Sequence, residues 1–268
     1  MNQLVHLCCL VLFITSCNSN STKLNCEKIS GLDKILNARQ IIILGELHGT
    51  NEAPHYIYQM TCKALSKGHT VSVALEIPQD HQNELDKYLN SQGTKSDKKD
   101  FLSNAFWSDD YQDGRRSKAM FNLIENIKIL KHQGYPINLY YMDGYSSGGR
   151  EQTMANRIFE IKSQNQEQII LALVGNFHNT IVEGSEKMGA LILEKYGRDQ
   201  VISLNQDFVQ GTAWIDIAGE EAGPIQLNGN GSSSIGIYID KAPLEYHGTF
   251  EMHKITHSSP AKELLKSL

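Results

Sequence analysis

Several signatures of common chemistries are missing from this chain of 268 residues. No glycine-rich phosphate loop and no His-Glu-x-x-His pair occurs, so nothing announces a nucleotide hydrolase or a zincin, and a nucleophilic serine is not expected either. There is no basic excess. Lys and Arg number 25 against 30 Asp and Glu, for a net charge of −5, and a pI near 6.1 gives no footprint for nucleic acid. Beyond the N-terminus no apolar segment approaches the eighteen residues of a membrane span.

Cysteine is scarce, five in all. Cys8 and Cys9 lie in the N-terminal apolar stretch Leu4 to Ile14, which is too short to cross a bilayer and leads into Ile14-Thr15-Ser16-Cys17. That pattern is expected to be a lipoprotein signal peptide, residues 1–16, cleaved before an acylated Cys17. Met1 to His6 holds no Lys or Arg, a departure that leaves an uncleaved signal anchor as the alternative. Residues 17–30 then form a tether, with the membrane reached only through the lipid anchor. The expected location is the cell envelope, facing the periplasm. Cys26 and Cys62 remain, and in an oxidising compartment they are expected to form a disulfide, two free thiols being the alternative.

What is present is a repeated pattern. Ile41-Ile42-Ile43-Leu44-Gly45-Glu46-Leu47-His48 and Ile170-Leu171-Ala172-Leu173-Val174-Gly175-Asn176-Phe177-His178 each run an aliphatic strand into Gly-x-x-His. Strand and helix signals alternate around these runs. Helices are expected from Asn51 to Gly68, over His81 to Asn90, over Ser117 to His132 and over Thr153 to Ser163, with strands at Val71–Leu75, Ile137–Met142 and Val201–Leu204. Ser91 to Asp100 reads as a loop. Residues 31–268 are expected to form a single α/β domain, a largely parallel or mixed sheet with helices on both faces. Residues 211–256, rich in glycine and short β pieces, are expected to be a β-rich excursion.

In such sheets ligands bind beyond the carboxyl ends of the strands. Glu46 and His48, Glu76, Asp143 and His178 all stand at strand ends, so they are expected to share one cleft. A carboxylate beside an imidazole is both a tuned base and a metal-ligand pair, while solvated loop residues, a cap or simple turn chemistry would explain any one of them alone. Arg115 or Arg116 could clamp a carboxylate, and Phe106, Trp107 and Tyr111 could wall the site.

Gly45-Glu46-Leu47-His48-Gly49-Thr50-Asn51-Glu52-Ala53-Pro54, the Ala74-Leu75-Glu76 strand end and Gly175-Asn176-Phe177-His178 together resemble the erythromycin esterase, ChaN and TraB/Tiki superfamily, over roughly residues 40–205. The resemblance implies an α/β fold and three different chemistries. In an esterase-like branch Glu46 and His48 would activate water against a lactone. In a Tiki-like branch His48, His178, Glu46 and Glu76 would hold a divalent metal for peptide hydrolysis. A ChaN-like lipoprotein would bind haem or iron. The expectation taken forward is hydrolysis of an ester, lactone or amide, in a small-molecule or peptide substrate. Glu46, His48, Glu76 and His178 would form the catalytic set, metal-assisted or not, and Arg115 would hold developing negative charge.

Overall fold

A computed structural model describes residues 24–38, 40–216, 222–232, 234–240 and 244–268. The expected signal peptide and Cys17 lie outside the described residues. The chain runs α1 (Leu32–Ala38), β1 (Ile41–Glu46), α2 (Glu52–Ser66), β2 (Val71–Pro78), α3 (Gln82–Asn90), α4 (Lys95–Leu102), α5 (Ala105–Ser108) and α6 (Lys118–His132). It continues with β3 (Ile137–Asp143), α7 (Gly149–Gln164), β4 (Ile169–Gly175), α8 (Met188–Tyr196), β5 (Val201–Ile215), β6 (Gly223–Asn228), β7 (Gly236–Ile239) and β8 (Gly248–Ile255).

The eight strands form one sheet in the order β3-β2-β4-β1-β5-β8-β7, with β6 paired to β5. Every pairing is parallel except β5 with β6 and β7 with β8. β1 is central and buried along its whole length. Alternate side chains serve opposite faces: Ile42 and Leu44 join the core under α2, α3 and α6, whereas Ile41 and Ile43 join the core under α7 and α8. The fold is therefore a mixed α/β sheet with helices on both faces. Cys26 and Cys62 are joined by a disulfide, which ties the N-terminal segment to α2.

Several elements depart from the sequence reading. Residues 95–102 are a helix rather than part of a loop, started by a capping box in which Thr94 accepts from the Asp97 N–H while Asp97 accepts from the Thr94 N–H. β5 runs on to Ile215, and β6 arises inside the glycine-rich stretch by antiparallel pairing with it. The β-rich segment therefore continues the main sheet, with β8 added parallel to β5. Helix α7 begins at Gly149, four residues before the expected start. Phe106 and Trp107 do not wall the site. Both lie in the core, Trp107 against Phe101 and Phe121 and Phe106 against Trp107, and only Tyr111 of the three is exposed.

Candidate active site

The carboxyl ends of β1, β2, β3 and β4 bring Glu46, Glu76, Asp143 and Gly175 to one edge of the sheet. The β2–β3 register shifts between Leu75 and Pro78, the irregularity that carries Glu76. Just past β1 the chain turns at Gly49, with φ of 77°. Gly114, with φ of 87°, packs against that turn so closely that a Cβ there would lie 2.5 Å from the Gly49 nitrogen. Only glycine fits both demands, and the contact lays the residue before Arg115 against the backbone of His48 and Gly49.

His48 lies between two carboxylates. Its Nδ1 is 2.9 Å from Glu46 Oε1 and its Nε2 is 3.5 Å from Glu76 Oε2. The ring reaches this position because residue 175 is glycine: a Cβ there would stand 2.8 Å from Nε2. Burial disfavours the charged imidazole, but Glu76 and Glu46 outweigh it and push the His48 pKa up to about 10. At neutral pH His48 is an imidazolium. Burial also raises the pKa of Glu46, against the pull of His48. For Glu76 the net direction is the opposite. Burial opposes ionisation, but His48, His178 and the Gly175 N–H, which donates to Oε2 at 2.6 Å, hold its carboxyl well below the usual range.

Two guanidiniums close the centre. Arg115 donates to Asp113 Oδ2 through Nε and Nη2, at 2.9 and 2.6 Å, and to Asp143 Oδ2 through Nη1 at 2.9 Å. Its Nη1 is 3.6 Å from Glu76 Oε1. Arg150 donates to both oxygens of Asp143, to Glu76 Oε1 at 2.5 Å and to His178 Nε2 at 3.1 Å. His178 Nδ1 lies 2.8 Å from Glu151 Oε1, and Glu151 also accepts from Lys187 Nζ and from the Met188 N–H. Burial opposes ionisation of Glu151, but these donors, His178 first, hold its pKa low.

Glu46, His48, Glu76, His178 and Arg115 are therefore brought together, with Asp143 among them. Arg116 is set back from the centre: its guanidinium faces Phe106 O, Asp109 and Asp113, the last shared with Arg115. Sequence reasoning missed Arg150 and Glu151. Their signal was the Gly148-Gly149 pair that starts α7 directly after the β3 loop. Gly144-Tyr145-Ser146-Ser147-Gly148 has the letters of a nucleophile elbow. Ser146 is nevertheless exposed and its hydroxyl accepts from Thr153, with no histidine bonded to it.

The expected metal set does not fit. Among the described residues no three His, Cys, Asp or Glu side chains are placed to hold one metal ion. Arg150 supplies the cation that Glu76 and Asp143 share, and both nitrogens of each histidine already face partners.

The family model described as haem-binding uptake, Tiki superfamily, ChaN matches residues 32–128, which include Glu46, His48, Glu76 and Arg115 but not His178. No curated protein matches the chain. Among solved structures, a succinoglycan biosynthesis protein superposes with a TM-score of 0.58 at 10% identity, covering 85% of this chain and 91% of that one. A Bacillus cereus protein gives 0.57 at 12% identity, with 85% and 92% covered. A variant of the erythromycin esterase EreC in its open conformation gives 0.57 at 11% identity, with 85% and 93% covered. The chain is thus similar to the ChaN and Tiki family over residues 32–128 and to an erythromycin esterase in fold, and no branch is singled out.

Proposed function

We propose that the chain is a lipid-anchored, periplasm-facing hydrolase that cleaves an ester, lactone or amide in a small molecule or peptide by general acid–base chemistry. The placement rests on residues 1–17 and agrees with a disulfide in an oxidising compartment. The observation that carries the chemistry is the convergence of two imidazoles and two guanidiniums on one buried carboxylate, Glu76. Paired imidazoles can take a proton from water and return one to a leaving group. Paired guanidiniums can hold the oxyanion formed between the two steps.

One role changes from the sequence reading. His48 was expected to activate water, but as an imidazolium between Glu46 and Glu76 it has no free lone pair. Its charged form suits it to protonate the leaving group. Arg150 occupies the carboxylates a cation would need, so the proposed chemistry runs on side chains alone.

The test uses full-length protein and a panel of 4-nitrophenyl esters, lactones and aryl amides. Wild-type turnover is expected, reduced at least about 100-fold in His48→Asn. With His48 as acid, kcat/KM should fall as pH rises through about 10. No turnover on any of the three classes would refute the reading.

Haem binding is the second reading, favoured by the description of the family model. Exposed Tyr145 and Phe177, on the loops after β3 and β4, suit a flat apolar ligand. Axial ligation by His48 or His178 would first have to break their bonds to carboxylate or arginine. Haem titration decides this, since a Soret shift lost in either histidine variant would favour haem.

A further inference from the structure

The two Gly-x-x-His motifs place their rings almost symmetrically about Glu76. His48 Nε2 is 3.5 Å from Oε2, and His178 Nε2 is 3.6 Å from Oε1. Each Nδ1 faces its own glutamate, Glu46 at 2.9 Å and Glu151 at 2.8 Å. The difference between them is Arg150. A guanidinium has only donors, so with Nη1 at 3.1 Å the His178 Nε2 must offer its lone pair. The proton of His178 is then on Nδ1 and donates to Glu151. His48 meets acceptors on both sides and carries both protons.

Among the described residues four charged groups stand around His178. Arg150 and Glu151 come from α7. Glu76 comes from β2, with Oε1 past hydrogen-bond reach of Nε2. Lys187, just before α8, shares Glu151 Oε1 at 3.0 Å. Glu151 Oε2 accepts from the first N–H of α8, at Met188. The carboxylate is held by donors on both oxygens and so fixes the plane and tautomer of the ring.

We infer that Glu151 is the positioning residue that sets His178 as the neutral Nδ1–H tautomer, and that His178 rather than His48 takes the proton from the attacking water. This rests on the hydrolase reading above. As the substrate carbonyl takes a donor from Arg150, the His178 lone pair is released towards water. The water oxygen bonds to the carbonyl carbon, the carbonyl electron pair moves onto oxygen beside Arg115 and Arg150, and the water proton goes to His178 Nε2. When the tetrahedral adduct collapses, the bond to the leaving oxygen or nitrogen breaks and that atom takes the proton of His48 Nε2. After product leaves, His178 gives its proton to solvent water and His48 regains one from solvent, with Glu76 holding the recharged His48 in place. Water and ester become acid and alcohol, and the centre is restored.

The test is long-range nitrogen–proton NMR of the ring nitrogens of full-length protein at pH 7.5, with rings assigned by His48→Asn and His178→Asn. The expected result is a neutral Nδ1–H ring for His178 and a doubly protonated ring for His48. A doubly protonated or Nε2–H His178 would overturn the inference. In Glu151→Gln the His178 signals should move towards a mixture of tautomers. With 4-nitrophenyl butyrate as probe, kcat in that variant should fall about 100-fold with KM within about twofold, and Glu151→Asp should recover part of the loss. An unchanged kcat in Glu151→Gln, in a wild type that turns over, also overturns it. Absence of wild-type turnover would sink the hydrolase reading instead, and the ring tautomers would still decide this one.

Discussion

Replacing Glu76 by Gln isolates the charge at the middle of the site. The amide keeps an oxygen for the Gly175 N–H but turns an NH2 towards Arg150 Nη2, which bonds Glu76 Oε1 in the native centre. It also removes the carboxylate that does most to raise the His48 pKa. The sign of the pH effect follows from that shift. A pKa raised from 6.5 to about 10 on folding stabilises the fold fully below pH 6.5, and the contribution is lost as pH climbs to about 10. At about 1.36 kcal/mol per pH unit the whole shift couples about 5 kcal/mol, and about 4 kcal/mol of it is present at pH 7. Glu46 still faces His48 in the variant, so about half of this, ~2 kcal/mol, should be lost at pH 7. For a domain of this size that is about 4–8 °C in Tm. The donor–donor conflict with Arg150 adds a cost that does not depend on pH. Thermal unfolding of wild type and variant at pH 7 and pH 10.5 separates the two parts, because the difference should shrink at the higher pH. A Tm gap of equal size at both pH values would refute the reasoning, as would a His48 ring that titrates near 6.5 in the wild type.

Three further outcomes are expected. Gly45→Ala would put a Cβ 2.3 Å from the buried Asn179 amide, whose Nδ2 donates to Leu204 O, and should destabilise by about 2–3 kcal/mol in urea unfolding. A loss below about 0.5 kcal/mol would mean that Asn179 yields freely. Removing the Cys26–Cys62 disulfide, which closes a separation of 36 residues, should cost about 3–4 kcal/mol by loop entropy, measured by unfolding of Cys62→Ser against wild type. Dialysis against a chelator should leave ester turnover unchanged, because arginine rather than metal neutralises Glu76 and Asp143. Loss of turnover restored by a divalent cation would contradict that.

The strand ends were legible because each ionisable residue follows an apolar run that can only be a buried strand. Glu46, Glu76 and His178 are examples, and the parallel order follows from the helices between them. The helix α4 was hidden because its apolar residues, Phe101 and Leu102, come only at its end, although Thr94 and Asp97 hold a capping signal. β6 was hidden for a different reason. It is a short strand inside a glycine-rich stretch, with Pro224 next to its start, and it is recruited by backbone pairing with β5. Arg150 and Glu151 were hidden because first-turn helix residues are usually solvated, and only the early start of α7 turns them inward.

That early start decides what the repeated motif means. Two Gly-x-x-His copies on neighbouring parallel strands would, by themselves, give two equivalent rings. β1 and β4 do pair in register with Glu46 opposite Gly175, so the backbone comes close to making them equivalent. Equivalence is broken by what meets each Nε2. At His48 it is a carboxylate, and the ring holds a second proton. At His178 it is a guanidinium, which can only donate, and the ring keeps a lone pair. The Arg150 guanidinium, carried by the first turn of α7, thus converts a doubled pattern into an acid and a base. Arg150→Met should undo that distinction, drawing His178 towards the doubly protonated form beside Glu76 and Glu151. The same ring-nitrogen spectra would show it, and a His178 that stays neutral in that variant would break the argument.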